Sequence, residues 1–152
     1  MVEFNFFDVQ VVFQEVPDEV SLALTICGCP LRCEGCHRDD IWDPFQGTPL
    51  TTHFFKQLLA QYDGLITCVV FFGGEWQPTK LIPLLKLAQQ VGLKTCLYTG
   101  MSKIPQRIKQ YLTYLKTGAW QSNLGGLNSK ITNQRFINVN ENQLLNFKFM
   151  GS

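Results

Sequence analysis

The sequence has no apolar run long enough to cross a membrane. Its longest, around Val20–Ile26 and Val69–Phe72, fall far short of the roughly 20 residues a spanning helix needs. Behind the opening Met1-Val2-Glu3-Phe4 there is no basic n-region and no small-residue cleavage site, so no secretory signal is read there. A charge excess is missing too. The net charge of +1 gives no electrostatic reason to expect nucleic acid or an acidic membrane as a partner, and no basic run or basic amphipathic helix stands out. Low-complexity tracts, internal repeats and an internal domain boundary are also lacking. These absences lead to the expectation of one cytoplasmic domain spanning residues 1–152.

What is present fits a globular chain: 45% apolar and 16% charged residues. A length of 152 residues suffices for one core that buries about two thirds of the unfolded surface. Six cysteines are the unusual feature. In a reducing compartment a close cluster of them points to metal binding or catalysis rather than disulfides.

Four of the six lie in Cys27-Gly28-Cys29-Pro30-Leu31-Arg32-Cys33-Glu34-Gly35-Cys36-His37. Within it Cys29, Cys33 and Cys36 are spaced Cys-x-x-x-Cys-x-x-Cys. Three thiolates on a short Gly- and Pro-containing loop can face one centre, and soft ligands of this kind select zinc, copper(I) or an iron–sulfur cluster. The spacing leaves two readings open. One is a structural Cys₃His zinc site with His37 as fourth ligand, in a non-catalytic interaction module. The other is a 4Fe-4S cluster with one iron not held by protein, following the rule that a site one ligand short keeps a working position. A ligand directly after Cys36 has awkward geometry for the same metal, which weighs against zinc. Cys27, Cys68 and Cys96 lie in apolar strand patterns and read as small buried hydrophobes.

Along the chain, residues 3–16 read as one or two strands, turning at Pro17-Asp18-Glu19 into a buried strand at Val20–Ile26 that leads straight into the cysteine string. Thr51-Thr52 can cap a helix through Tyr62, with Phe54, Phe55, Leu58 and Leu59 on one face. A strand at Thr67–Phe72 ends at Gly73-Gly74-Glu75. Thr79–Val91 reads as a helix stopped by Gly92, Lys94–Tyr98 as a strand ending at Thr99-Gly100, and Ile104–Tyr114 as a third helix with Pro105 in its first turn. A short strand is expected at Leu115–Gly118, loop over 121–134, and a closing strand pair at Arg135–Val139 and Leu145–Phe149. Strands alternating with helices predict an α/β fold of parallel βαβ units. The units are too few for an eight-stranded barrel, so the fold expected is a partial (βα) barrel or open curved parallel sheet.

Gly73-Gly74-Glu75 closes the strand that follows the cysteine loop, which puts it on the same rim of a parallel sheet. A Gly-Gly turn lets backbone approach a ligand, and Glu75 offers an acceptor for an ammonium group. An ordinary strand-end turn is the plain alternative. Tyr98 and Thr99 end the next strand on that rim.

The cysteine triad resembles the signature of the radical S-adenosylmethionine enzymes. The longer string from Gly28 to His37, with Ile41-Trp42-Asp43 after it, is similar to one branch of them, the activating proteins of anaerobic ribonucleoside-triphosphate reductase. So are Leu115-Lys116-Thr117-Gly118, Leu124-Gly125-Gly126-Leu127-Asn128-Ser129 and Thr132-Asn133-Gln134-Arg135-Phe136. The resemblance runs from about Val20 to Phe136. It implies the radical SAM partial barrel, a 4Fe-4S cluster on Cys29, Cys33 and Cys36, and S-adenosylmethionine on the fourth iron. Gly73, Gly74 and Glu75 would hold the methionine amino group, Tyr98 and Thr99 would line the ribose or adenine, and Arg135 could bind the carboxylate. His37 then becomes a loop residue. Reductive cleavage of the sulfonium would yield a radical that takes a hydrogen atom from a glycine of the large catalytic subunit of anaerobic ribonucleotide reductase. The electron would come from a donor such as a flavodoxin. Activation of another glycyl-radical enzyme is the variant within the superfamily. Ile41, Trp42 and Phe45 are candidate partner contacts. The chain departs from the family where Trp76 follows Glu75 in place of the frequent Pro, where Arg38-Asp39 replaces Asn-Pro, and in Asn128-Ser129-Lys130-Ile131.

Overall fold

The structure, a computed structural model, describes residues 4–27 and 47–150. Cys29, Cys33, Cys36, His37, Ile41, Trp42 and Phe45 lie outside the described residues.

Four apolar segments form the centre of one eight-stranded sheet. These are β2 (Ser21–Ile26), β4 (Cys68–Phe72), β5 (Lys94–Tyr98) and β6 (Tyr114–Thr117), mutually parallel and adjacent in that order. Burial on both faces explains their near-continuous apolar sequences. The flanks are antiparallel. On one side lie β1 (Asn5–Val12) and the two-residue β3 (Thr48–Pro49); on the other lie β7 (Arg135–Asn138) and β8 (Gln143–Leu144). The sheet is therefore mixed, where a parallel one was expected, and β3 was not foreseen.

Helix α1 (Thr52–Gln61) starts where Thr51 Oγ1 accepts the Phe54 N–H at 3.0 Å, as the Thr-Thr pair suggests. Helix α2 (Pro78–Gln90) opens on a proline, whose missing N–H costs nothing at a first helical position, and ends before Gly92 at φ 85°. The third helix, α3, is one turn, Gln106–Lys109, not the run to Tyr114 that the pattern suggests. Tertiary partners end it early. The Tyr111 carbonyl accepts from Thr95 Oγ1 (2.6 Å) and Gln89 Nε2 (2.9 Å), and the Thr113 N–H bonds the Thr95 carbonyl (2.9 Å). The chain is thereby drawn into extended pairing with β5.

Each crossover from β2 to β6 moves one strand in the same direction. With a common right-handed sense this stacks every helix on one face. Accordingly Leu24, Phe71, Leu97 and Leu115 pack with Phe55, Leu81, Leu85 and Ile108 of the helices. Alternate residues Ala23, Cys68, Val70 and Cys96 face the other side, which is covered by Val16, Phe136 and Leu145 rather than by a helix. Cys27, Cys68 and Cys96 are buried, and burial pushes the Cys68 thiol up to about 12. That agrees with their reading as small core residues.

The expected strand at 145–149 is instead a single 3₁₀ turn, Asn146–Phe149. The Asn146 side chain does a strand's work: its Oδ1 accepts the Phe136 N–H and its Nδ2 donates to the Gln134 carbonyl, both at 2.8 Å.

At the N-terminal rim of the parallel strands, buried Glu19 ties three elements together. Its carboxylate accepts from Thr67 Oγ1 (2.7 Å) and Lys94 Nζ (2.7 Å), with the Tyr114 hydroxyl at 3.4 Å. Lys94 is half-exposed, so most of the effect lies in the part-buried hydroxyl contacts. Glu19→Ala is expected to lower stability by about 1–3 kcal/mol in urea unfolding. Lys94→Ala should cost less than 1 kcal/mol. Among the described residues no helix is long and apolar enough to cross a membrane.

Candidate functional site at the C-terminal strand rim

Three neighbouring parallel strands deliver polar groups to one rim, the position where α/β sheets bind ligands. After β4 the chain turns through Gly73 (φ 91°) and Gly74 (φ 104°), left-handed conformations that L side chains resist. The Gly73 N–H bonds the Tyr98 carbonyl at 3.0 Å, which fastens this turn to the end of β5. A Cβ on Gly73 would lie 2.6 Å from the Trp76 ring, and one on Gly74 would lie 3.3 Å from the Phe4 ring. The missing Cβ atoms thus make room for Trp76 and Phe4. Trp76, where the resembling family often has Pro, is the residue that fills the turn.

The turn delivers Glu75, which is only 7% exposed. Its Oε1 accepts from Thr99 Oγ1 at 2.6 Å, and Thr99 Oγ1 in turn accepts the Met101 N–H at 3.1 Å. Oε2 is buried and has no partner among the described residues. Desolvation raises the Glu75 pKa above the ordinary carboxylate value; the Thr99 hydrogen bond, the residue's own backbone N–H and the charge of Lys116 oppose it.

Lys116, buried at the end of β6, completes the group. Its ammonium donates to the Gly118 carbonyl (2.7 Å), lies 3.5 Å from the Thr99 carbonyl, and stands 5.8 Å from the centre of the Tyr98 ring. The sequence signal for this buried cation is a lysine inside the strand segment Tyr114–Thr117.

Thr99 therefore joins Glu75 directly. Tyr98 takes another direction: its side chain lies on the helix-free face, its ring against Phe72 and Phe136, its hydroxyl donating to the Glu15 carbonyl. Its backbone, not its ring, touches the glycine turn. Arg135 is exposed at the start of β7, paired in register with Thr117, one strand beyond Lys116. Gly74 packs within reach of Ile26 at the end of β2, and Cys27 is the last described residue before the cysteine triad. Among the described residues no group of three His, Cys, Asp or Glu could hold a metal.

A buried carboxylate oxygen without a donor is an unfilled requirement, and an ammonium group would meet it with a charge-assisted hydrogen bond. The neutral Thr99 and the already engaged Lys116 leave that oxygen free to accept.

The chain is similar to the pyruvate formate-lyase-activating enzyme of Clostridium pasteurianum, at 40% identity over 79 residues, 48% of this chain. The aligned stretch spans 33% of that enzyme's length. No solved structure matches the chain significantly. Residues 19–118, which run from Glu19 through the cysteine triad and Glu75 to the end of β6, match the family described as the 4Fe-4S single cluster domain, and the chain belongs to that family.

Proposed function

We propose that this chain is a radical S-adenosylmethionine activase that generates a glycyl radical on a partner enzyme, with anaerobic ribonucleotide reductase as the partner. The observation that carries the reading is the buried Glu75 oxygen, unpartnered among the described residues, on the rim where β2 ends just before the cysteine triad in the sequence. In this reading Cys29, Cys33 and Cys36 hold a 4Fe-4S cluster, which the family membership supports over zinc. The cluster with its bound S-adenosylmethionine supplies reductive cleavage of the sulfonium and a hydrogen-abstracting radical.

The residues of this chain bind and orient. Glu75 would accept the methionine ammonium, while Thr99 holds Oε1 and so fixes the carboxylate's rotation. Gly73 and Gly74 set the depth of Glu75 by packing on Trp76 and Phe4. Lys116 offsets the buried negative charge. Four parallel strands with helices on one face are what a partial barrel requires, and the helix-free face forms its inside. The choice of reductase rests on the strings from Gly28 to Asp43 and from Leu115 to Phe136. Pyruvate formate-lyase is the second reading, favoured by the 40%-identical relative.

The test is anaerobic reconstitution followed by mixing with each glycyl-radical enzyme, S-adenosylmethionine and a reductant. A brown protein with about four irons, and a glycyl radical seen by electron paramagnetic resonance on the reductase, is the expected result. A radical on the lyase alone would move the substrate. Colourless protein with one tightly held zinc would refute both.

A further inference from the structure

The near-zero net charge hides a strong polarisation. Residues 76–152 carry ten Lys and Arg and a single acid, Glu141, whereas residues 1–75 carry eleven acids and three bases. Among the described residues the sheet order turns this into a spatial division, because β5–β8 form one side of the sheet and β1–β4 the other.

On the basic side the helix layer stops short. Helix α3 is one turn, and β6 leads to β7 without a helix. The helix-side face of β6–β8 is therefore left open beyond α3. Register pairing aligns Leu115, Ile137 and Leu144 in one cross-strand row on that face. Exposure rises along the row as cover is lost: 3% for Leu115, half-buried Ile137, 43% for Leu144. A cleft of about 390 Å³ opens here, floored by Leu115, Thr117 and Ile137 and edged by Lys103, Lys109 and Arg135. A second cleft of about 360 Å³ at the strand rim shares Ser102, Thr117 and Arg135 with it, making one groove. Among the described residues no acidic one lines either part. Among the described residues none of the three cations has a carboxylate partner, in contrast to Lys94 and Lys148.

We propose that this groove docks an acidic, leucine-bearing segment of a protein partner. Three unpaired cations around the row supply the sign and the steering. The row supplies the apolar contact that a purely ionic surface lacks. Nucleic acid fits less well, since among the described residues no aromatic side chain lines the groove for base stacking. The residues varied below, Lys103, Lys109 and Leu144, belong to neither the Glu75 group nor the residues assigned to the cofactor, although Arg135 edges both.

The probe is a fluorescent peptide of Glu and Leu, its leucines spaced to form one helical stripe, titrated against the full chain prepared anaerobically. Its partner control carries Lys for Glu, and a single-stranded oligodeoxynucleotide serves as competitor. The Glu/Leu peptide should bind in a salt-dependent manner and the Lys/Leu peptide should not. Lys103→Glu with Lys109→Glu should weaken binding about tenfold or more. Leu144→Ser should weaken it about fivefold to tenfold through lost apolar area. Circular dichroism would confirm that these surface variants fold. Absence of peptide binding overturns the proposal. So does equal binding of the oligonucleotide with no effect of Leu144→Ser, which would define a general polyanion surface. Concentration-dependent self-association abolished by the charge reversals would assign the groove to a second copy and overturn it as well.

Discussion

Glu75→Gln is expected to stabilise the ligand-free protein while weakening S-adenosylmethionine binding about 10–100-fold. Both halves come from the same buried oxygen. A carboxylate held 7% exposed, with one oxygen lacking a donor, carries a desolvation cost that a neutral amide of the same shape largely avoids. Glutamine keeps one oxygen for Thr99 Oγ1, so the local hydrogen bond survives. A gain of about 1 kcal/mol in urea unfolding at neutral pH is the expected size. Ligand affinity falls because a charge-assisted hydrogen bond to an ammonium, about 1.5–3 kcal/mol, becomes a neutral one. Equilibrium binding measured beside unfolding separates this from a merely structural role, which would move both in the same direction.

The same residue predicts a pH dependence. Burial raises the Glu75 pKa in the folded chain above its unfolded value, so between the two the folded state binds more protons. In that window this group's contribution to stability falls as pH rises. It is most favourable below the unfolded pKa and fully lost above the folded one. Subtracting the pH–stability curve of Glu75→Gln from that of the unmodified protein should expose this downward slope. A flat or upward difference would show that Glu75 is not held in a desolvating site.

The rim could be read in advance because its parts obey local rules. An apolar run ending in Gly73-Gly74-Glu75, followed by a helix and another run ending at Thr99, places the two strand ends side by side once crossovers share one hand. The hydrogen bond between Glu75 and Thr99 follows from that order. Tyr98 was assigned to the ligand by position alone. Strand alternation, with Leu97 toward the helices, already turns its ring to the opposite face. Helix α3 was over-read because Ile104, Ile108 and Leu112 keep helical spacing. What ended it was the Thr95–Thr113 pairing, a contact across 18 residues that no local pattern carries. Asn146 standing in for a strand is illegible for the same reason.

Gly73→Ala is expected to cost about 2–4 kcal/mol and to abolish ligand binding with it. Two costs combine. The left-handed φ of 91° costs an alanine about 1–2 kcal/mol. The new Cβ would then meet the Trp76 ring at 2.6 Å, so that the indole or the turn has to shift, an overpacking cost of about 1–3 kcal/mol. Gly64→Ala isolates the first cost, because φ is 79° there but nothing lies within 4 Å of the added carbon. The difference between the two variants in chemical denaturation measures the clash. Trp76→Phe removes the offending ring atoms, so combined with Gly73→Ala it should recover part of the stability lost, a coupling of about 1 kcal/mol or more in a double-mutant cycle. Strict additivity would mean that Trp76 does not hold the turn. Any shift of this turn carries Glu75 with it and breaks the 2.6 Å contact to Thr99, which is why binding should fail more completely than stability.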